Sequence, residues 1–169
     1  MLKKNLALVC LTLSLTVNAD IVNKGRITHD TATGLDWMDL SHTTNRSYNE
    51  ISGLFADGQE FSGWRYATQA EVKQLWGNFG ITAKVRDKDD TSQRLPLIKA
   101  IEILGNTIKA NRNKREGVVG IARGYNGRKD LNTVYGWEIK YDGMVISNRN
   151  EHRQHYYEAN PTVGSYLVR

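Results

Sequence analysis

The sequence predicts an α+β domain, and three observations carry that expectation. Two capping boxes stand ahead of apolar residues at helical spacing in the first half. The second half turns to short runs with strand-like alternation, and an Asp-Gly pair there marks a hairpin. With no repeat, no low-complexity tract and only two prolines, helices and strands are expected to share one layered unit.

Taken in order, Gly25-Arg26-Ile27-Thr28 reads as a first strand, Asp30 to Gly34 as a turn, and Leu35 to Leu40 as a second extended segment. Alternation there sets Leu35 and Trp37 on one face, with Asp36, Met38 and Leu40 on the other. Ser47-Tyr48-Asn49-Glu50 fits a capping box, in which hydroxyl and carboxylate satisfy free backbone N–H groups reciprocally. Tyr48, Ile51, Leu54 and Phe55 would share the face of the helix that follows, and Gly58 would close it. Thr68-Gln69-Ala70-Glu71 is the second box. Behind it Val72, Leu75, Trp76 and Phe79 recur at helical spacing, and Gly80 supplies the stop. A third helix is expected from Pro96 to Leu104, with Leu97, Ile98, Ile101 and Leu104 as its stripe and Gly105 at its end.

Strands follow. Val118 to Ala122 is short and apolar, and Trp137, Ile139 and Tyr141 alternate with Glu138 and Lys140. Asp142-Gly143 supplies a two-residue turn into Met144 to Ser147, and Tyr166-Leu167-Val168 reads as the last strand.

Met1–Ala19 has the pattern of a cleavable secretory signal. Lys3 and Lys4 make a positive start, Leu6 to Val17 an apolar run, and Val17-Asn18-Ala19 a small-residue site before Asp20. A membrane span needs roughly 20 apolar residues, and this run is shorter. The expectation is therefore an exported protein, periplasmic or secreted, with one domain over residues 20–169 and no later stretch of membrane length. Cys10 is the only cysteine and would leave with the signal, so no disulfide staples the domain. Stability must come from a core built with four Trp, eight Tyr and three Phe. Once Lys3 and Lys4 are removed, 21 of 23 basic side chains face 18 acidic ones, a net charge of +3. That mild excess favours acidic partners weakly and does not point to nucleic acid, which calls for a denser basic stripe.

Three blocks carry a resemblance: Thr33-Gly34-Leu35-Asp36-Trp37, Gly63-Trp64-Arg65-Tyr66-Ala67-Thr68 with Glu71, and Gly164-Ser165-Tyr166-Leu167-Val168-Arg169. They resemble a family of secreted proteobacterial proteins similar to the C-terminal domain of a collagen-like adhesin, the Lcl C-terminal-like family. The resemblance runs from about Ile27 to Arg169, with residues 84–115 outside it. It implies a C-type lectin-like fold, with two or three helices on a small, mostly antiparallel sheet and long loops in the second half. Many relatives continue beyond the last block into a membrane-sorting tail. The sequence here stops at Arg169, and a free exported domain is expected. The Glu-Pro-Asn, Gln-Pro-Asp and Trp-Asn-Asp signatures of calcium-dependent lectins of that fold class do not occur, and the cysteine chemistry of its formylglycine-generating relatives has no cysteine to use. The blocks themselves read as architecture: tryptophans for the core, Thr68 as a cap, and Arg65 paired with Glu71 or Asp36.

Metal-binding patterns fail on detail. Asp87, Asp89 and Asp90 offer carboxylates, but Ser92 and Ile98 stand where an EF-hand needs Gly and Glu, so a solvated loop is expected. His152 and His155, flanked by Glu151 and Glu158, lack helical context and a third ligand, while His29 and His42 fall in expected loops without a nameable partner. No nucleophile elbow, zinc-protease helix or phosphate loop occurs, so no catalytic residue and no cofactor is assigned. The suggestive feature is basic and aromatic. Arg123, Tyr125, Arg128, Arg149, Arg153 and Tyr156 lie in the second half, where the resemblance places the ligand loops. Arginine forks match sulfate and carboxylate, and tyrosines stack on sugars or peptides. The expected function is a non-enzymatic binding domain for an anionic glycan or a protein surface, with those six residues as the ligand face. A structural part in an envelope assembly and a hydrolase of envelope or extracellular polymer are the alternatives.

Overall fold

A computed structural model of the chain describes residues 20–81, 91–108, 115–123, 131–140, 145–148 and 152–169. The expected signal, the Asp87–Asp90 carboxylates and the Asp142-Gly143 turn lie outside these residues.

The chain enters through an antiparallel meander of β1 (Ile21–Asn23), β2 (Ile27–Asp30) and β3 (Leu35–Met38). Asp30, fully buried, organises the β2–β3 turn: its carboxylate accepts from the Ala32 N–H at 3.0 Å and the Thr33 hydroxyl at 2.8 Å. Gly34 takes the left-handed conformation that closes the turn, at φ 71°. Asn78 donates its side-chain amide to the same Asp30 carboxylate at 2.8 Å, tying the turn to a helix far along the chain.

A 3-10 turn, Leu40–Thr43, precedes α1 (Tyr48–Ser52). The expected helix to Gly58 stops early. Ser47 caps the Glu50 N–H, but the Glu50 carboxylate pairs with Arg46 at 3.0 Å instead of completing the box. Ser52 and Gly53 then favour helix weakly. Leu54 and Phe55 still pack on the core, from a loop held by the Phe61 N–H donating to the Leu54 carbonyl.

After β4 (Arg65–Tyr66) comes α2 (Gln69–Asn78), with both halves of the Thr68–Glu71 capping box in place and Val72, Leu75 and Trp76 buried. The third helix, α3 (Arg94–Leu104), begins slightly before Pro96 and ends at Gly105 as expected. The second-half strands are β5 (Arg115–Ala122), β6 (Leu131–Lys140), β7 (Val145–Asn148) and β8 (His152–His155). β6 pairs antiparallel with β5 along its length and with β8 and β7 at its two ends.

The expected final strand forms as Leu167–Val168, and a short strand not expected from sequence precedes it. Gly164–Ser165 (β9) pairs parallel with β5, whereas Leu167–Val168 (β10) lies antiparallel between β3 and β4. Among the described residues two sheets result, ordered β1-β2-β3-β10-β4 and β7-β6-β5-β9, with β8 also on β6. Tyr166 sits at the crossing, fully buried. Its N–H donates to the Ile121 carbonyl and its carbonyl accepts from the Ala67 N–H.

Apolar residues gather in two clusters. One collects α2, α3, Trp37, Trp137 and Tyr166, and the other Ile51, Phe61, Trp64, Tyr66 and Leu167. β5 and β6 feed both: Val118 and Ala122 belong to the first, Val119 and Ile121 to the second, as side chains alternating across a strand must. A strand covered on both faces reads as a continuous apolar run, which is what residues 118–122 are. All four tryptophans are buried.

Candidate functional site

The three sequence blocks meet in space. β3, β10 and β4 are adjacent strands, with Val168 opposite Trp37 on one side and Arg65 on the other. Arg65 forms a two-pronged ion pair with Glu71, at 2.9 and 2.6 Å. Thr68 adds its N–H at 2.7 Å and its hydroxyl at 2.9 Å to the same carboxylate. The Arg65 guanidinium and these hydrogen bonds hold the Glu71 carboxyl down to about 2. Asp36, the other partner considered for Arg65, instead receives His29 at 2.9 Å and Arg169 at 3.4 Å, and the His29 contact is the first cause of its lowered pKa. Arg169 also lies over the Trp64 ring at 4.7 Å. The Tyr66 phenol reaches the Ser165 hydroxyl at 3.2 Å, and burial raises its pKa well above the usual phenol value. Arg65, Thr68 and Glu71 are thus spent on capping a helix, and Asp36, Arg169, Tyr66 and Ser165 on joining strands.

His29 therefore corrects the expectation of a loop residue without a partner. It lies on β2, directly opposite Asp36 in the ladder. His42 belongs to the 3-10 turn and is exposed. The segment holding His152 and His155 is the strand β8. Among the described residues no group of three or more His, Cys, Asp or Glu is placed to hold a metal ion.

Of the six nominated ligand residues, Tyr125, Arg128 and Arg149 lie outside the described residues, and Arg153 is described only as a backbone position in β8, opposite Thr133. Tyr156 contacts a residue assigned from sequence to the α1 core face, and the Arg123 charge acts on that same residue. Tyr48 opens α1, and its ring is stacked between Tyr66 at 4.1 Å and Tyr156 at 5.0 Å. The Asn49 N–H donates to the Tyr156 carbonyl at 3.0 Å, fixing the segment after β8 against the start of α1. Arg123 follows β5, where its N–H donates to the Ala67 carbonyl at 2.7 Å, and its side chain is exposed.

Electrostatics link Arg123 to this stack. Burial raises the Tyr48 phenol pKa, neighbouring Tyr156 raises it further, and the positive charge of Arg123 opposes both. The result is an aromatic stack, Tyr156–Tyr48–Tyr66, buried at Tyr66 and half-buried at the other two, with the exposed Arg123 within electrostatic reach. Further along, His155 stacks on Tyr157, which is 70 % exposed. Sequence reasoning missed Tyr48 because a helix-face pattern assigns an aromatic to the core, and a stack across three segments leaves no trace in spacing.

Comparison with family models, with curated proteins and with solved structures finds no match. Among the described residues no helix is long and apolar enough to cross a membrane.

Proposed function

We propose that the chain is an exported, non-enzymatic binding domain of C-type lectin-like architecture that recognises an anionic glycan through the face around Tyr48, Tyr156 and Arg123. The α+β layout, with its last strand inserted between β3 and β4 and a second sheet made by the second half, supports the architectural part. One observation carries the functional part: the three-ring stack Tyr156–Tyr48–Tyr66, brought from three separate segments, lies within electrostatic reach of the exposed Arg123. A guanidinium fork suits sulfate or carboxylate, and a neighbouring aromatic ring packs against the apolar face of a sugar. Neither demands a reacting group, and the strongest ion pair nearby, Arg65–Glu71, is occupied in capping α2.

The test is elution of the full domain from an immobilised sulfated polysaccharide in a salt gradient, beside an inert protein of equal net charge. The proposal expects clearly later elution than the control, because directed contacts add to the screened bulk attraction. Co-elution with the control removes the glycan reading.

A further inference from the structure

A pocket of about 270 Å³ shares no lining residue with the Tyr48 face. Met38, Phe61 and Trp64 give it an apolar wall, held in place by the second core cluster. Its charged lining is partly committed. Glu60 pairs with Arg46 at 2.8 Å, and Arg169 is divided between the Trp64 ring and Asp36. Arg26 and His42 also line the pocket, are exposed, and form no ion pair among the described residues. Among the described residues the unpaired charge of this pocket is therefore that of Arg26, and it faces an aromatic wall.

We infer that the pocket binds a small aromatic monocarboxylate, with its ring against Met38, Phe61 and Trp64 and its carboxylate on Arg26, with His42 at the rim. Three features select that class. A guanidinium with no ion pair among the described residues presents its fork to a carboxylate. The wall rewards a flat apolar body, since burying apolar surface is favourable in proportion to area. The volume lies near the lower end of ligand pockets, which run roughly 300–1,000 Å³, so the body is limited to about one ring. Glu60 on the same lining disfavours a second negative charge, which argues for one carboxylate and against a polyanion.

The experiment is a titration of the full chain with 3-phenylpropionate, acetate and 3-phenylpropanamide, followed by the indole N–H signal of Trp64 in two-dimensional NMR. Loss of one signal in Trp64→Phe assigns it. The inference expects a saturable shift with 3-phenylpropionate, and binding at least tenfold weaker for acetate, which lacks the ring, and for the amide, which lacks the charge. Arg26→Gln weakens 3-phenylpropionate by at least tenfold, while Arg123→Gln leaves it unchanged. Unshifted indole signals from the other three tryptophans check that the exposed Arg26→Gln substitution leaves the fold intact. Equal binding of acid and amide, unaltered binding by Arg26→Gln, or no saturable shift overturns it. None of these outcomes bears on the glycan-binding face, whose test uses a different ligand and a different arginine.

Discussion

Glu71 gives the most quantitative prediction. Its carboxylate accepts two hydrogen bonds from Arg65 and two from Thr68, and it stands in the first turn of α2, where negative charge suits the helix dipole. A carboxyl held from 4.5 down to about 2 corresponds to at most about 3 kcal/mol of stability. Arg65 is 49 % exposed, and solvent screening of such a pair brings the expected contribution to about 1–2 kcal/mol. Because the folded pKa is depressed, this stability is fully present above about pH 4.5 and is lost as pH falls toward about 2. Glu71→Gln keeps the shape and removes the charge. Urea unfolding at several pH values should find the variant about 1–2 kcal/mol less stable than wild type at pH 7, with the gap closing between pH 4.5 and 2. Other carboxylates, Asp36 included, titrate in both proteins and cancel from the difference. A gap that stays constant down to pH 2, or no gap at pH 7, refutes the assignment of Glu71 as the charged keystone of the Arg65–Thr68 corner.

Two further substitutions test the frame. A Cβ at Gly164 would lie 2.2 Å from the Leu40 carbonyl oxygen, so Gly164→Ala must displace backbone and should cost about 1–3 kcal/mol, read as a lower urea midpoint with unchanged slope. Asp30→Ala strands the Asn78 amide and frees the β2–β3 turn, at a cost of about 2–3 kcal/mol. Asn78→Ala should cost less, and a double-mutant cycle should show the two coupled, with strict additivity as the contrary result.

Local signals were legible where local chemistry decides. The Thr68–Glu71 box, the stripe behind it and the stop at Gly80 predict α2 because each lies within one or two turns of the next. The alternation around Trp137 likewise predicts β6. The last strand is legible as Tyr166 to Val168, but the Gly164–Ser165 strand before it is not, since its pairing depends on β5 arriving from elsewhere. The end of α1 is not legible in the sequence because Leu54 and Phe55 continue the apolar pattern while reaching the core from a loop. His29 gains Asp36 only through strand register, which a turn of known ends but unknown pairing does not reveal. At the candidate face, residue chemistry pointed to Arg123 and Tyr156, but Tyr48, which joins them, became visible only once the Asn49–Tyr156 backbone bond set α1 beside the segment after β8.

The most direct measurement for the binding proposal is the salt required to elute three proteins from a sulfated polysaccharide: wild type, Arg123→Gln and Arg26→Gln. Both variants lose one exposed positive charge, so bulk electrostatics shifts them alike. The account predicts that Arg123→Gln elutes distinctly earlier than Arg26→Gln, because the Arg123 charge acts on Tyr48 in the stack whereas Arg26 lines a separate pocket. Equal shifts for the two variants would contradict it and leave the face around Tyr48 without a glycan-binding role.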